Sequence, residues 1–411
     1  MERDIQILRE LAKVYHEIAQ DEHNEKCIRL HKASNGLKMI RPVVLIDELP
    51  WSEMNIDGEL TLVCQDPFFK EIEEYMRRTI YKFKHLRADM IVRPYLPVQK
   101  VIHLSGIGID VKDEIIVFQE ENNIVSHAYE DQLSSEKDLE RLHIPEIRYD
   151  KEETKRRFES LGEAVGDILP VRKTGIDFMS QHPWDDAARF RGVTNLLMDL
   201  AERPEFCHEM IKKLFDIEHA VNKEYLRLGL YDNDPWDLHC TPILCDDLPT
   251  GPDRKEVDDF NMIWGRGMAQ IFASVSPGMH EEFDIDYMAK TIGQCGLVYY
   301  GCCEPLDRKV DIVEKIPNLR KISVTPWADV NVAAEVIGKR YVVASKPNPA
   351  SVGVPVLDEK ELRKELGEIL EACKRNGCSC DIVLKDISTC NQNPKNIFEW
   401  ERIAMEMVQN F

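Results

Sequence analysis

The sequence has no run of about 18 consecutive apolar residues, so no segment is expected to cross a bilayer as a helix. Its opening, Met1-Glu2-Arg3-Asp4, lacks the apolar core of a secretory signal, and the expectation is a cytoplasmic protein without a membrane partner. Basic charge is short as well: 53 Lys and Arg stand against 74 Asp and Glu, a formal net charge of −21. Polyanions would be repelled, which excludes nucleic acid as an expected partner. The 20 glycines and 21 prolines gather into no linker, and no internal repeat is visible, so one main folding unit is expected. The 12 cysteines lack the regular spacing of a disulfide scaffold. In a reducing compartment they read as core residues, metal ligands or nucleophiles.

What is present is an ordinary globular composition, 43% hydrophobic and 31% charged, over 411 residues. A chain of this size can bury about three quarters of its extended surface. Ile5, Leu8, Leu11, Ala12 and Tyr15 recur at three- and four-residue spacing, which predicts an amphipathic helix within a helical extension over residues 1–40. From there short apolar runs alternate with helical ones, the pattern of βαβ units around a parallel sheet. Eight strands are predicted: Val43–Asp47, Met90–Arg93, Ile168–Arg172, Leu238–Asp246, Leu297–Tyr300, Lys321–Thr325, Tyr341–Ser345 and Cys380–Lys385. The expected fold is therefore α/β, a (β/α)8 TIM barrel over residues 41–411, with a β-hairpin insertion around 97–150. A doubly wound open sheet has the same periodicity.

Barrel enzymes place their chemistry at the C-terminal ends of the strands. That rule selects Asp47 and Glu48 after the first strand, Cys245, Asp246 and Asp247 after the fourth, and Cys302, Cys303 and Glu304 after the fifth. Trp327 and Asp329, Lys346 and Asn348, and Asp386 and Cys390 follow the last three. Two adjacent thiols and a carboxylate in YYGCCEPLD suit a soft metal such as zinc, provided the chain turns at Gly301. Cys390, after the last strand, can reach the same mouth, whereas Cys378 and Cys380 precede that strand and belong at the opposite end. A nine-residue strand rises roughly 30 Å, so His239 and Cys240 cannot share a site with Asp246 and Asp247. The Asp end is placed at the mouth, and His239 is read as a hydrogen-bonded core histidine. His280, at a helix start, reads equally as ligand, proton carrier or surface residue, and His127 and His182 as loop residues able to line a pocket.

RPVVLIDELPW, CDDLP, SVSPGMHEEF, YYGCCEPLDRKVDIVEKIPNLRKISVTPWADV and LKDISTCNQNPKNIFEWERIA together resemble the uroporphyrinogen decarboxylase-like superfamily, in its branch of corrinoid-linked methyltransferases. The decarboxylases themselves carry an arginine-rich motif after the first strand, where this chain has Asp47-Glu48-Leu49-Pro50. The methyltransferase branch holds zinc with a His-x-Cys pair and a further Cys after the last strand. Those places fall on Tyr300-Gly301-Cys302 and on Cys390, so the cysteines match and the histidine does not. Cys303, Glu304 or His280 would then supply the missing ligand.

The resemblance implies transfer of a methyl group from a small methylated donor, such as a methoxyaromatic or methylamine, to the cobalamin of a separate corrinoid protein, with a homodimer allowed. Zinc on Cys302, Cys303 and Cys390 would activate the leaving atom. Asp246, Asp247 or Glu304 would relay a proton, Tyr300 and Trp327 would flank an aromatic donor, and His280 would face it. Asp47 and Glu48 would favour neutral or cationic donors over polycarboxylates. The alternatives are a methylcobalamin:thiol methyltransferase, a folate-to-thiol transfer without cobalamin, a decarboxylase, and a barrel that binds a small molecule without turnover.

Overall fold

A computed structural model describes residues 2–119, 124–249 and 256–411. Two helices, Glu2–Ala19 and Glu22–Asn35, open the chain. Asp21 caps the second, its carboxylate accepting the His23 N–H at 2.8 Å. The strands are β1 (Val43–Ile46), β2 (Leu96–Gln99), β3 (Val101–Leu104), β4 (Asp113–Gln119), β5 (Ile124–Tyr129), β6 (Ile147–Asp150), β7 (Val171–Thr174), β8 (Phe178–Gln181), β9 (Trp264–Gly267), β10 (Leu297–Tyr300), β11 (Leu319–Val324), β12 (Val342–Ser345) and β13 (Ser379–Leu384). Seven of them form one all-parallel sheet in the order β1-β13-β12-β11-β10-β9-β8. The fold is thus mixed α/β, and most of this sheet is buried on both faces, which is why strands such as VVLI, LVYY and VVAS read as short, nearly continuous apolar runs.

No hydrogen-bonded ladder joins β1 to β8 among the described residues, so a closed eight-stranded barrel is not formed by strand pairing. The predicted strand Met90–Arg93 has no strand conformation. Next to it, Asp89 flanks β1: its N–H reaches the Val44 carbonyl at 3.0 Å and its carboxylate accepts the Val44 N–H at 2.8 Å. The third predicted strand shifts to β7, which pairs with β2 in a separate ribbon before the chain enters β8. The insertion does form antiparallel pairs, β3 with β6 and β4 with β5, while residues 120–123 between β4 and β5 lie outside the described residues.

The fourth predicted strand fails, and an unpredicted one takes its place, for clear physical reasons. Leu238–Asp246 is not a strand: Leu238 bridges back to Thr241 across a turn at His239-Cys240, and Pro242 removes a backbone donor. The strand in that place is β9, with the sequence WGRG. Its glycines face the covering helices, where a Cβ would lie 2.9 Å from the Cys295 sulfur at Gly265 and 2.6 Å from Ile292 Cδ1 at Gly267. Close packing therefore demands residues that β-propensity disfavours.

Alternation along the strands separates two environments. Val298 and Tyr300 pack in the large core with the helices, whereas Trp264 and Tyr299 cluster with Leu238, Ile243, Cys245 and Ala344 on the inner face. The irregular segment 236–248 crosses that inner face from one end of the sheet to the other, and the Trp264 indole donates to the Ile243 carbonyl at 3.1 Å. A second core joins the first helix to Phe69, Met76, Leu96 and Leu161. No helix among the described residues is long and apolar enough to cross a membrane.

Candidate functional site

β10 ends at Tyr300, and Gly301 turns the chain with φ 98°, a left-handed conformation suited to glycine. A Cβ there would meet Leu306 Cδ1 at 2.6 Å and Ser323 Cβ at 3.0 Å. The turn lets both following thiols face each other, with Cys302 and Cys303 Sγ 3.7 Å apart. The Ser323 hydroxyl fixes the Cys302 carbonyl at 2.9 Å, and the Glu304 carboxylate accepts the Cys302 N–H at 3.0 Å and the Ala269 N–H at 3.1 Å.

Beyond β13, the Lys385 ammonium lies 3.5 Å from Cys302 Sγ, 3.8 Å from Cys303 Sγ and 2.5 Å from the Asp386 carboxylate. The Asp386 N–H donates to Glu48 at 3.1 Å, and Glu48 in turn sits 3.7 Å from His239 Nε2. The ligand atoms of Glu48, His239 and Cys240 all lie within 4.8 Å of one another. Glu48, Cys240 and Asp386 hold φ of 49°, 54° and 56°, backbone strain that the surrounding contacts must sustain.

Electrostatics follow from these contacts. A hydrogen bond from the Cys303 thiol holds the Cys302 thiol far below its ordinary range, at about 3, against the effect of burial; His239, Lys385 and Arg266 act in the same direction. Cys303 moves up, because it holds the proton of that hydrogen bond. Burial disfavours the Lys385 ammonium, but the Cys302 thiolate and Asp386 outweigh it and raise its pKa. Burial pushes Glu304 up to about 7 despite its backbone donors. It also raises Glu48, with Asp386 adding to the effect.

Of the residues selected from sequence, Cys302, Cys303, Glu304 and Asp386 converge here, with Lys346 bonded to the Cys240 carbonyl, Glu48 close by and Asp47 next to it, 3.9 Å from Lys82. The others lie elsewhere. Asp246 pairs with Lys32 at 2.7 Å, and Asp247 pairs with Arg320 at the start of β11, so both occupy the opposite end of the sheet. The orientation assigned to this segment is reversed, and the His239-Cys240 end is the one at the mouth. Tyr300 faces the helices, where its hydroxyl donates to Asp284 and lies 2.7 Å from His280 Nε2; both His280 and Tyr300 are fully buried away from the thiols. Trp327 is exposed on the loop after β11. Cys390 is buried against Glu53, with its sulfur 3.2 Å from the carboxylate, and burial followed by that contact pushes its pKa up to about 12. It belongs to no group of three ligand atoms among the described residues. His127 pairs with Asp113 on the β4–β5 arm, and His182 lies 3.7 Å from Glu218.

Sequence reasoning passed over His239, Cys240 and Lys385 as parts of the site. The adjacent His-Cys pair was the available signal, lost by reading its segment as a strand pointing the other way.

A cleft of about 770 Å³ opens beside this cluster. Its walls include Tyr75, Lys82, Arg93, Trp236, His239 and Cys240, together with Leu45 and Ile46 of β1 and Phe178 of β8. Arg93 bridges Asp237 at 2.5 Å and Asp177 at 3.4 Å. Burial, reinforced by the Asp237 charge, raises Asp177 to about 7 from 3.8. A folded-state pKa above the unfolded one means that the folded chain keeps a proton the unfolded chain releases. Stability is therefore lost as pH rises from about 4 to about 7, by up to ~4 kcal/mol at ~1.36 kcal/mol per unit. Urea denaturation across this range should show the wild type losing stability relative to Asp177→Asn. Parallel curves for the two proteins would refute the shift.

The donor set of the cluster, one imidazole, one thiol and one carboxylate, could hold a divalent metal ion, since the three ligand atoms lie close enough to share one. No family model and no curated protein matches this chain in sequence.

Proposed function

We propose that the chain is a metal-dependent methyltransferase on an opened (β/α)8 barrel, moving a methyl group from a small methylated donor to the cobalt of a separate corrinoid protein. The observation that carries this reading is the cluster of Glu48, His239 and Cys240 beside the Cys302–Cys303 pair, next to a cleft large enough for a small donor. In the barrel reading, segment 88–93 takes the place of the strand missing between β1 and β2, through the Asp89 contacts with Val44. His239 then supplies the imidazole that Tyr300 cannot.

Glu48, His239 and Cys240 would hold the metal, with Cys302 completing the set. Zinc in this position supplies a Lewis acid for the leaving oxygen, nitrogen or sulfur, whose departure is otherwise slow. The residues around it do the rest. Trp236 and Phe178 in the cleft wall offer apolar surface to the donor and exclude water around its methyl group. Lys385, with the Cys303 hydrogen bond, favours the charged form of the Cys302 thiol. Glu304, with a pKa of about 7, keeps a proton within the turn that carries Cys302.

The test combines elemental analysis with methyl transfer. Protein never exposed to chelator should carry close to one zinc per chain. A panel of methoxyaromatics, methylamines and methylthio compounds, incubated with reduced corrinoid protein, should include a donor that converts Co(I) to methyl-Co(III). Absence of transition metal together with an unchanged cobalt spectrum would overturn the reading.

A further inference from the structure

The inner face of the sheet carries four cations, and their partners divide them into two kinds. Lys321 meets the Asp381 carboxylate at 2.9 Å, and Lys385 meets Asp386 at 2.5 Å. Arg266 and Lys346 have no carboxylate within 4.0 Å among the described residues, although they are only 5% and 3% exposed. Arg266 sits directly beside Tyr299 in the β9–β10 ladder and, two residues after Trp264, shares its face. One of its terminal nitrogens reaches the Met268 sulfur, a weak acceptor, at 3.1 Å, and its buried Nε has no partner. The Lys346 ammonium lies 5.9 Å from the centre of the Tyr299 ring and donates to the Cys240 carbonyl, on the backbone of the proposed metal cluster.

Two nearly buried cations with no carboxylate in ion-pair range, both against one tyrosine ring and answered chiefly by the Cys302 thiolate and the more distant Asp381, gain from an anion that joins them directly. A guanidinium with unused donors matches a planar carboxylate in a two-point contact, which a bare ammonium cannot do alone. Asp47 and Glu48 by themselves suggest a preference for neutral or cationic donors; the inner face reverses it for a single negative group.

We propose that the methyl donor carries one carboxylate, bound by Arg266 and Lys346 beside Tyr299. This rests on the methyl-transfer reading for what the donor does, but not for how it is held.

The experiment is calorimetric binding of paired probes to zinc-loaded protein: 4-methoxybenzoate, (methylthio)acetate and N,N-dimethylglycine, each against its carboxamide. At least one carboxylate should bind about 10- to 100-fold tighter than its neutral partner, the range expected of charge-assisted hydrogen bonds. Arg266→Gln and Lys346→Gln should each reduce that ratio toward one while leaving the zinc content unchanged. Should Arg266→Gln fail to fold, Arg266→Lys keeps the charge, removes the fork and should give an intermediate ratio. If no carboxylate is preferred, or if Arg266→Gln and Lys346→Gln both keep the full preference, the proposal falls. Transfer to cobalt from a neutral donor, undiminished in Arg266→Gln, would also overturn it while leaving methyl transfer intact. A carboxylate preference lost in these variants, without any methylation of cobalt by any donor, would instead support the anion site and count against the methyltransferase.

Discussion

Replacing His239 with Ala is expected to strip the metal and to lower methyl transfer by about a thousandfold. The estimate takes the loss of Lewis-acid stabilisation as roughly 4 kcal/mol, at ~1.36 kcal/mol per tenfold in rate. His239 is the single imidazole of the cluster, with Glu48 and Cys240 within 4.8 Å of it, and no other histidine belongs to a ligand group among the described residues. Elemental analysis and the cobalt spectrum read the two effects separately. Cys390→Ser should keep its metal, because that thiol is engaged by Glu53. Cys378→Ser and Cys380→Ser should keep it as well: both residues lie at the start of β13, where the Cys378 thiol donates to the Ala334 carbonyl at 3.2 Å. Metal retained in His239→Ala, or lost on removing Cys378, would place the site elsewhere.

Lys321→Met should destabilise the protein by about 3–5 kcal/mol, the usual result of stranding one member of a buried ion pair. Lys321 and Asp381 are both fully buried and 2.9 Å apart, and the ammonium also donates to the Thr241 hydroxyl and the Pro242 carbonyl, each at 2.8 Å. These bonds pin segment 236–248 to the inner face, so the loss should also loosen the turn that presents His239. Lys321→Met/Asp381→Leu removes both charges and should recover more than half of the stability, since no uncompensated carboxylate remains. Urea denaturation of the single and double variants checks this. Additive losses would mean that the pair is not coupled.

Much of the sheet was readable because its strands obey local rules. Val43–Ile46, Leu297–Tyr300 and Val342–Ser345 are largely β-branched or apolar runs, Leu319–Val324 and Ser379–Leu384 mix such residues with the buried Lys321–Asp381 pair, and all five fall within a residue or two of their predicted places. β9 was unreadable because Gly265 and Gly267 answer to the helices packed on them rather than to strand propensity. LHCTPILCD is the converse: its apolar residues are buried against the sheet without belonging to it, and burial alone cannot distinguish the two.

The sequence by itself determined the charge balance, the parallel α/β pattern and the thiol pair of Cys302 and Cys303 after a glycine that permits the turn, since each is a property of neighbouring residues. The tertiary structure alone decided which end of segment 236–248 reaches the mouth, that Tyr299 rather than Tyr300 faces inward, and that His239 meets Glu48 across nearly two hundred residues. Such meetings depend on how distant segments pack over a shared face, and packing of that kind leaves no periodic or local trace in the chain.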